Sequence, residues 1–334
     1  MKALLSVAPG GPETLELVDV PSPEPGAGEL RVRVLACGIN YPDVLIIEDK
    51  YQFKPPRPFA PGSEISGVVD AVGSGVTGWK AGDRLIAIIP FGGLSEEILL
   101  QASHAIPLPE GRSAIEGAAL VFTYATSLHA LTDRGQLRAG ETLLVLGAAG
   151  GVGLAAVEIG KALGARVVAG VSSAEKADAV KAAGADVVFI YPRGPFDRDA
   201  SKALAKEIKQ AVGGDGADVV YDPVGGDYTE AALRSIAWEG RYLVIGFPAG
   251  IPQLPLNLTL LKSCDVRGVF WGAFAMRDPK RNAQHVQQLL TWWCEGRIRP
   301  RIDAILPLRD GGKAISRLAT RSVIGKVVVS SQTN

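Results

Sequence analysis

The residues whose types and spacing say most about chemistry lie in Thr142-Leu143-Leu144-Val145-Leu146-Gly147-Ala148-Ala149-Gly150-Gly151-Val152-Gly153. Residues 143–146 are apolar without interruption, the pattern of a strand buried on both faces. Glycines follow, and then Val152, Ala156, Ile159 and Leu163 recur along one helical face that Gly164 closes. A strand–turn–helix of this kind aims backbone N–H groups and the positive end of a helix dipole at one point, which suits a pyrophosphate. The fingerprint G-x-G-x-x-G is met at 148–153 with Ala148 in the first glycine position, so Gly150, Gly151 and Val152 are candidate dinucleotide contacts. A plain tight turn would also use glycines; the further apolar run Val167-Val168-Ala169 completes a strand–turn–helix–strand unit and favours the dinucleotide.

The end of that second strand bears on which dinucleotide. Sites for NAD place a carboxylate there, against the ribose 2′-hydroxyl. Here the chain reads Gly170-Val171-Ser172-Ser173-Ala174-Glu175-Lys176. The hydroxyls of Ser172 and Ser173 and the ammonium of Lys176 suit a 2′-phosphate, which a carboxylate would repel. A serine here also serves as a helix N-cap, and the two roles are compatible. The expected cofactor is NADPH.

Around this unit the chain changes character twice. Residues 1–105 read as short strands, among them 30–35, 65–72 and 83–89, separated by dense Gly and Pro turns. A helical stretch over 115–134 leads into the nucleotide unit. Strands and helices then alternate in the doubly wound manner: helices over 176–183, 201–212 and 228–236, strands over 187–190, 219–221 and 242–245. Parallel strands bind ligands beyond their carboxyl ends, so Tyr191, the loop Asp222-Pro223-Val224-Gly225-Gly226 and Gly246-Phe247 are lining candidates. From about residue 258 the pattern shifts to a strand over 265–271, helices over 281–294 and 314–318, and a last strand over 325–329 expected to return to the first domain. The domain expectation is 1–122 for a catalytic β domain, 123–262 for the nucleotide domain and 263–334 for the returning segment of the first.

The whole chain narrows the function class. Its 334 residues suffice for two cored domains, and 35 Lys plus Arg balance 35 Asp plus Glu, which argues against strong nucleic-acid or anionic-membrane binding. No run reaches the roughly 18 apolar residues of a membrane helix, and the opening residues lack the length of a secretory signal. Cys37, Cys264 and Cys294 lie far apart, which is neither a disulfide framework nor a zinc ribbon, and fits a reducing cytoplasm. His104, His129 and His285 stand isolated in sequence and read as surface or packing residues.

With these pieces in place, the chain resembles, nearly end to end, the zinc-free quinone oxidoreductase (zeta-crystallin-like) branch of the medium-chain dehydrogenase/reductase superfamily. The resemblance rests on Ala36-Cys37-Gly38-Ile39-Asn40-Tyr41-Pro42-Asp43, Pro61-Gly62-Ser63-Glu64-Ile65-Ser66-Gly67, the glycine turn, Val219-Val220-Tyr221-Asp222-Pro223-Val224-Gly225-Gly226-Asp227, and Phe270-Trp271-Gly272. It implies a Rossmann domain beside a discontinuous, mainly antiparallel GroES-like β domain. Zinc-dependent relatives carry Cys, His and Cys where this chain has Asn40, Ser63 and, by a looser alignment, Phe122, so no metal is expected.

Without a Lewis acid, the acceptors that remain are already activated, either quinones or alkenes conjugated to a carbonyl. The resemblance implies NADPH as donor and carries cofactor contact to Asn40, Thr126, Gly150, Gly151, Val152, Ser173, Lys176, Tyr191, Phe247, Phe270, Gly272, Gly325 and Lys326, with Trp271 in the same motif. Lys176 and Tyr191 would hold the 2′-phosphate. Tyr51 matches a tyrosine near the nicotinamide, suited to hydrogen-bond or protonate a substrate oxygen, and Asn40 is a candidate amide donor. Tyr41 is a second phenol in the same region. The leading expectation is an NADPH:quinone reductase. An NADPH-dependent reductase of enones or 2-enoyl thioesters is the alternative, with Arg277, Lys280 and Arg281 as a basic patch for a coenzyme A. A low-turnover NADPH-binding structural or nucleic-acid-binding protein is the third reading. The apolar strand ending at Trp271 is a natural sheet edge, which implies a homodimer.

Overall fold

The computed structural model describes residues 1–331. Contacts divide the chain into two units, Met1–Phe122 together with the segment from Arg299 onward, and Thr123–Ile298. The chain opens with β1 (Lys2–Ser6), β2 (Leu15–Asp19), β3 (Glu29–Ile39), α1 (Tyr41–Ile47), β4 (Glu64–Val72), β5 (Arg84–Ile88), β6 (Glu97–Gln101), β7 (Ala105–Pro107) and α2 (Ala114–Gly117). The helix α3 (Val121–Leu128) then carries the chain into the second unit, and its next six residues, His129–Arg134, wind as a π-helix. Such turns are rare and concentrate where a side chain must be aimed.

The second unit continues with β8 (Thr142–Val145), α4 (Gly151–Ala162), β9 (Arg166–Val171), α5 (Ala174–Ala182), β10 (Val187–Ile190), α6 (Arg198–Val212), β11 (Ala217–Asp222), α7 (Tyr228–Leu233), β12 (Ile236–Val244), α8 (Asn257–Lys262), β13 (Asp265–Gly268), α9 (Trp271–Arg277) and α10 (Pro279–Cys294). Its six strands form one all-parallel sheet in the order β10-β9-β8-β11-β12-β13. That is the doubly wound order, and it reverses beside β8, so ligands are expected beyond the carboxyl ends of β8, β9 and β11. Leu143, Leu144, Val145, Val167, Val168, Val219 and Val220 are fully buried, which explains why these strands read as unbroken apolar runs.

The last segment comprises β14 (Ile302–Pro307), α11 (Gly311–Ala319) and β15 (Lys326–Ser330). β15 pairs antiparallel with β3, and the sheet of the first unit runs β14-β15-β3-β4-β5-β7, with β6 also on β3. Only the β14–β15 pair is parallel. Gly325, at φ +93, makes that pair possible, since a Cβ there would collide with the carbonyl of Arg301. The expected α/β class, a doubly wound domain plus a discontinuous and mainly antiparallel one, is what is found. The division at its far end differs from the sequence reading. Residues 263–298 belong to the nucleotide unit, because β13 hydrogen-bonds in parallel register to β12 and α10 buries Val286, Leu289 and Trp293. The expected strand over 265–271 also stops early, at Gly268, and Trp271 opens a helix.

Candidate functional site

In the nucleotide unit the turn after β8 is held by its own backbone. Ala148 N donates to Gly170 O (3.0 Å), Gly150 N to Gly147 O (3.0 Å), and Leu154 N to Gly150 O (2.8 Å). Gly151, Val152 and Gly153 form the first turn of α4, where amides have no intrahelical acceptor and point at whatever lies ahead of the helix. Gly153 has a different task. A Cβ there would strike the backbone of Gly147 and Ala148, so it lets the helix pack onto the strand it follows.

At the end of β9 three of the four residues expected to meet a 2′-phosphate, Ser172, Ser173 and Lys176, come together. Ser173 N-caps α5, its Oγ accepting from Lys176 N at 3.4 Å, and Lys176 Nζ reaches Ser172 Oγ at 3.4 Å. Tyr191 follows β10 and is buried, and its hydroxyl oxygen accepts the Gly147 amide at 3.0 Å. It therefore braces the glycine turn directly, a link that sequence spacing does not show.

The loop after β11 is organised by a buried carboxylate. Asp222 Oδ1 accepts from Val224 N (2.8 Å) and Gly225 N (2.9 Å), while Oδ2 accepts from Thr229 Oγ1 (2.8 Å) and Tyr242 Oη (2.7 Å). Burial first, then the Asp222 charge, push the Tyr242 phenol well above its ordinary pKa, so it stays a donor. Beside it Tyr221 and Ser127 hydroxyls pair at 2.8 Å, next along α3 from the candidate Thr126. Phe247 and Phe270 are half-exposed. Trp271 is buried with its indole N–H on Asn282 Oδ1 (2.9 Å), which ties α9 to α10 just where Gly272 sits.

In the first unit the structure gathers Asn40, Glu64 and Lys326, the outer two of them 286 residues apart, into one buried cluster. Lys326 Nζ donates to Glu64 Oε2 (2.9 Å) and to Asn40 Oδ1 (2.5 Å). Asn40 Nδ2 donates to Gly38 O (3.2 Å) and Glu64 Oε2 (3.1 Å), and Glu64 Oε1 accepts the Phe122 amide (2.8 Å). Both amide hydrogens of Asn40 are thus committed within the cluster, and Lys326 is 4% exposed. In this arrangement the two act on β3, β4 and β15 and on the start of α3. The sequence reading makes Asn40 an amide donor and both residues cofactor contacts; here both amide hydrogens of Asn40 and two of the Lys326 ammonium hydrogens are engaged within the cluster. Next to Asn40, Asp43 Oδ2 accepts the Asn40 amide (2.8 Å) and Oδ1 the Gly62 amide (3.0 Å). Burial raises its carboxyl to about 6.

Tyr51 lies partly buried in the loop after α1, and its hydroxyl is raised by burial and then by the Asp43 charge. It is a protonated phenol at neutral pH with a carboxylate close by. Cys37 is fully buried and its thiol is pushed up by that burial, so it is no nucleophile. The Ser63 hydroxyl is buried and has no hydrogen-bond partner among the described residues, at the position where the resemblance puts the His of zinc-dependent relatives. An amide, a hydroxyl and a Lys–Glu ion pair do not make a ligand set for zinc. Among the described residues, no group of three His, Cys, Asp or Glu is placed to hold a metal.

One polar cluster went unread in the sequence. His129 Nδ1 meets Asp133 Oδ2 at 2.6 Å across the π-helix, Arg281 donates to Asp133 Oδ1 at 2.5 Å, and His285 Nε2 stands 3.6 Å from Oδ2. The His129 ring stacks on Phe274 at 4.0 Å. The only signal in sequence was the i,i+4 spacing of His129 and Asp133; their partners on α9 and α10 are too distant along the chain to be foreseen.

Comparison with known proteins places these features. Residues 26–110 match the alcohol dehydrogenase GroES-like domain and residues 151–290 the zinc-binding dehydrogenase family. A quinone oxidoreductase-like protein 2 homolog from Nematostella vectensis is 36% identical over 316 residues, covering 92% of this chain and 83% of its own length. The crystal structure of the quinone oxidoreductase from Thermus thermophilus, solved also in complex with NADPH, superposes with a TM-score of 0.84 at 35% identity, covering 99% of this chain and 100% of its own. A mycobacterial protein complexed with NADPH gives a TM-score of 0.90 at 31% identity over 99% of this chain and 100% of its own. The chain belongs to the medium-chain dehydrogenase/reductase superfamily, and within it to the quinone oxidoreductase branch.

Proposed function

We propose that this chain is a cytoplasmic oxidoreductase that passes a hydride from NADPH to a quinone and works without a metal. The observation that carries the cofactor is the Ser172–Ser173–Lys176 cluster at the carboxyl end of β9, an ammonium and two hydroxyls where an NAD site has a carboxylate. The first-turn amides of α4 take the pyrophosphate, and Tyr191, through Gly147, keeps their turn in place. Val224, Phe247 and Phe270 stand on the loops that follow β11, β12 and β13, and Gly272 in the first turn of α9, at the ends where such sheets hold a nicotinamide.

When bound, the dihydronicotinamide would supply the hydride, two electrons and one proton, and a quinone taking it would need one further proton to become the hydroquinone. The chain must provide the rest. Tyr51 keeps its proton at neutral pH and is suited to hydrogen-bond the acceptor oxygen as charge grows there, with the proton drawn finally from solvent. Asn40 and Lys326 serve by tying β15 to β3 and β4. The patch considered for a coenzyme A is weakened because Arg281 is tied to Asp133.

Turnover of NADPH against an ortho-quinone, a para-quinone, an enone and crotonyl-CoA, before and after exhaustive chelation, tests the reading. The quinones should turn over fastest, with chelation without effect. Faster reduction of crotonyl-CoA, no turnover at all, or activity lost with a stoichiometric metal would each overturn it.

A further inference from the structure

We propose that Phe53 and Phe91 form a stacking wall that selects planar aromatic acceptors over small aliphatic ones, which rests on the acceptor reduction proposed above and names its class. A single exposed phenylalanine needs no explanation. This one differs in how it is held. Phe53 is 46% exposed, yet its ring stacks on Phe91 with centroids 6.2 Å apart and planes at 21°. Phe91 in turn meets the buried Phe59 edge-on at 5.7 Å and 70°. Three rings thus stand in series, buried at Phe59, partly buried at Phe91 and exposed at Phe53.

Both loops that carry the wall are pinned. Arg57 lies over the Phe59 ring at 5.4 Å, and its guanidinium donates to Asp49 Oδ1 (2.7 Å), Ile47 O (2.9 Å) and Ser6 Oγ (3.2 Å). The base of the loop holding Tyr51 and Phe53 is therefore clamped to α1 and β1. On the other side, Gly92 N donates to Ala60 O (2.7 Å) and Gly93 N to Gly62 O (2.9 Å). Gly62 is the residue whose own amide binds Asp43. The Phe91 turn and the Asp43 carboxylate that bears on Tyr51 are thus joined through one residue, so the wall and the candidate donor share a frame within this unit. A preorganised aromatic surface, two residues along the same loop from a phenol donor for a carbonyl, fits a flat ligand with a carbonyl on its edge, and a fused-ring quinone is such a ligand.

The test compares two matched pairs of acceptors at saturating NADPH: 9,10-phenanthrenequinone with 1,4-benzoquinone, and chalcone with methyl vinyl ketone. Equilibrium dialysis of phenanthrenequinone against the NADP⁺-loaded protein gives a readout free of turnover. Phe53→Ala and Phe91→Ala should raise KM for the larger member of whichever pair is reduced, and its dissociation constant, about five- to tenfold. The smaller member should change less than about twofold, kcat should hold, and Phe53→Trp should retain the preference. Failure of quinone reduction would show in the wild type, as activity confined to the enones, while the wall is still read from the chalcone pair. Equal losses for both members of a pair in a folded variant, or no loss for either, would overturn the wall.

Discussion

At the scale of single residues, the two charged lysines of the candidate site do opposite work. Lys176 reaches a hydroxyl at 3.4 Å at the end of β9, so removing it should be felt by the cofactor. A charge-assisted hydrogen bond contributes about 1.5–3 kcal/mol, and Lys176→Ala should raise the NADPH constant about tenfold or more while leaving NADH nearly unchanged. Fluorescence titration of both cofactors measures this, and parallel losses would count against the 2′-phosphate role. Lys326 instead neutralises Glu64, which is 0% exposed. Lys326→Met leaves a buried carboxylate uncompensated and should destabilise the fold by about 3–5 kcal/mol, with Glu64→Gln in the same chain restoring part of it. Urea unfolding of the single and double variants decides whether the pair is coupled. The difference was not legible beforehand. Ser172, Ser173 and Lys176 are neighbours in sequence and announce a cluster, whereas Asn40, Glu64 and Lys326 meet only because β15 returns to β3.

At the scale of elements, the glycine turn separates binding from packing. Gly151 begins α4 with no left-handed backbone requirement, so Gly151→Val should abolish NADPH binding yet leave the far-ultraviolet spectrum and melting temperature almost unchanged. Gly153→Val should instead lower the melting temperature sharply, since its side chain meets the backbone of Gly147 and Ala148. The period of the apolar residues made β8 and α4 readable, as it did the alternation through β12. It said nothing of the π-helix, nor of the cluster it builds with α10. Burial holds His129 and His285 below the ordinary imidazole value of 6.5. Below that value the unfolded chain binds more protons than the folded one, so this stabilisation is complete above it and fades as pH falls. Asp43, raised to about 6, works the other way between its ordinary value and 6, favouring the fold as pH falls. The wild-type profile sums the two. The histidine part should therefore be read as a difference: His285→Phe should lose less melting temperature between pH 7 and 5.5 than the wild type does. Superimposable slopes would show that the imidazoles carry no pH-dependent stability.

At the scale of the whole molecule, the open question is what covers the edge of the parallel sheet. β13 ends the strand order and leaves one side without a neighbouring strand among the described residues. Val269 N donates inward to Val244 O (3.0 Å), so the carbonyl of its own peptide, on Gly268, faces outward, where Arg134 Nε caps it at 3.1 Å. By alternation along the strand, the amide and carbonyl of Val266 face outward too. In the segment that leads into β13 and on the strand itself the chain exposes apolar side chains, with Ile251 80%, Leu256 72%, Leu260 78%, Leu261 63% and Val266 40% exposed. The segment 251–255, which could have folded across the edge, leaves these residues open to solvent. An uncovered strand edge flanked by exposed leucines invites a partner, and a second copy about a two-fold axis would satisfy Val266 on both chains at once. We therefore predict a homodimer of twice 35.0 kDa at micromolar concentration, measured by sedimentation. The structure also chooses the variant that tests it. A proline at 269 would break the inward bond to β12 and damage the fold, whereas Val266→Pro removes an outward donor and spares that bond. Val266→Pro should yield a folded chain sedimenting at 35.0 kDa; a wild-type monomer, or a dimer that survives the substitution, would place the contact elsewhere or nowhere.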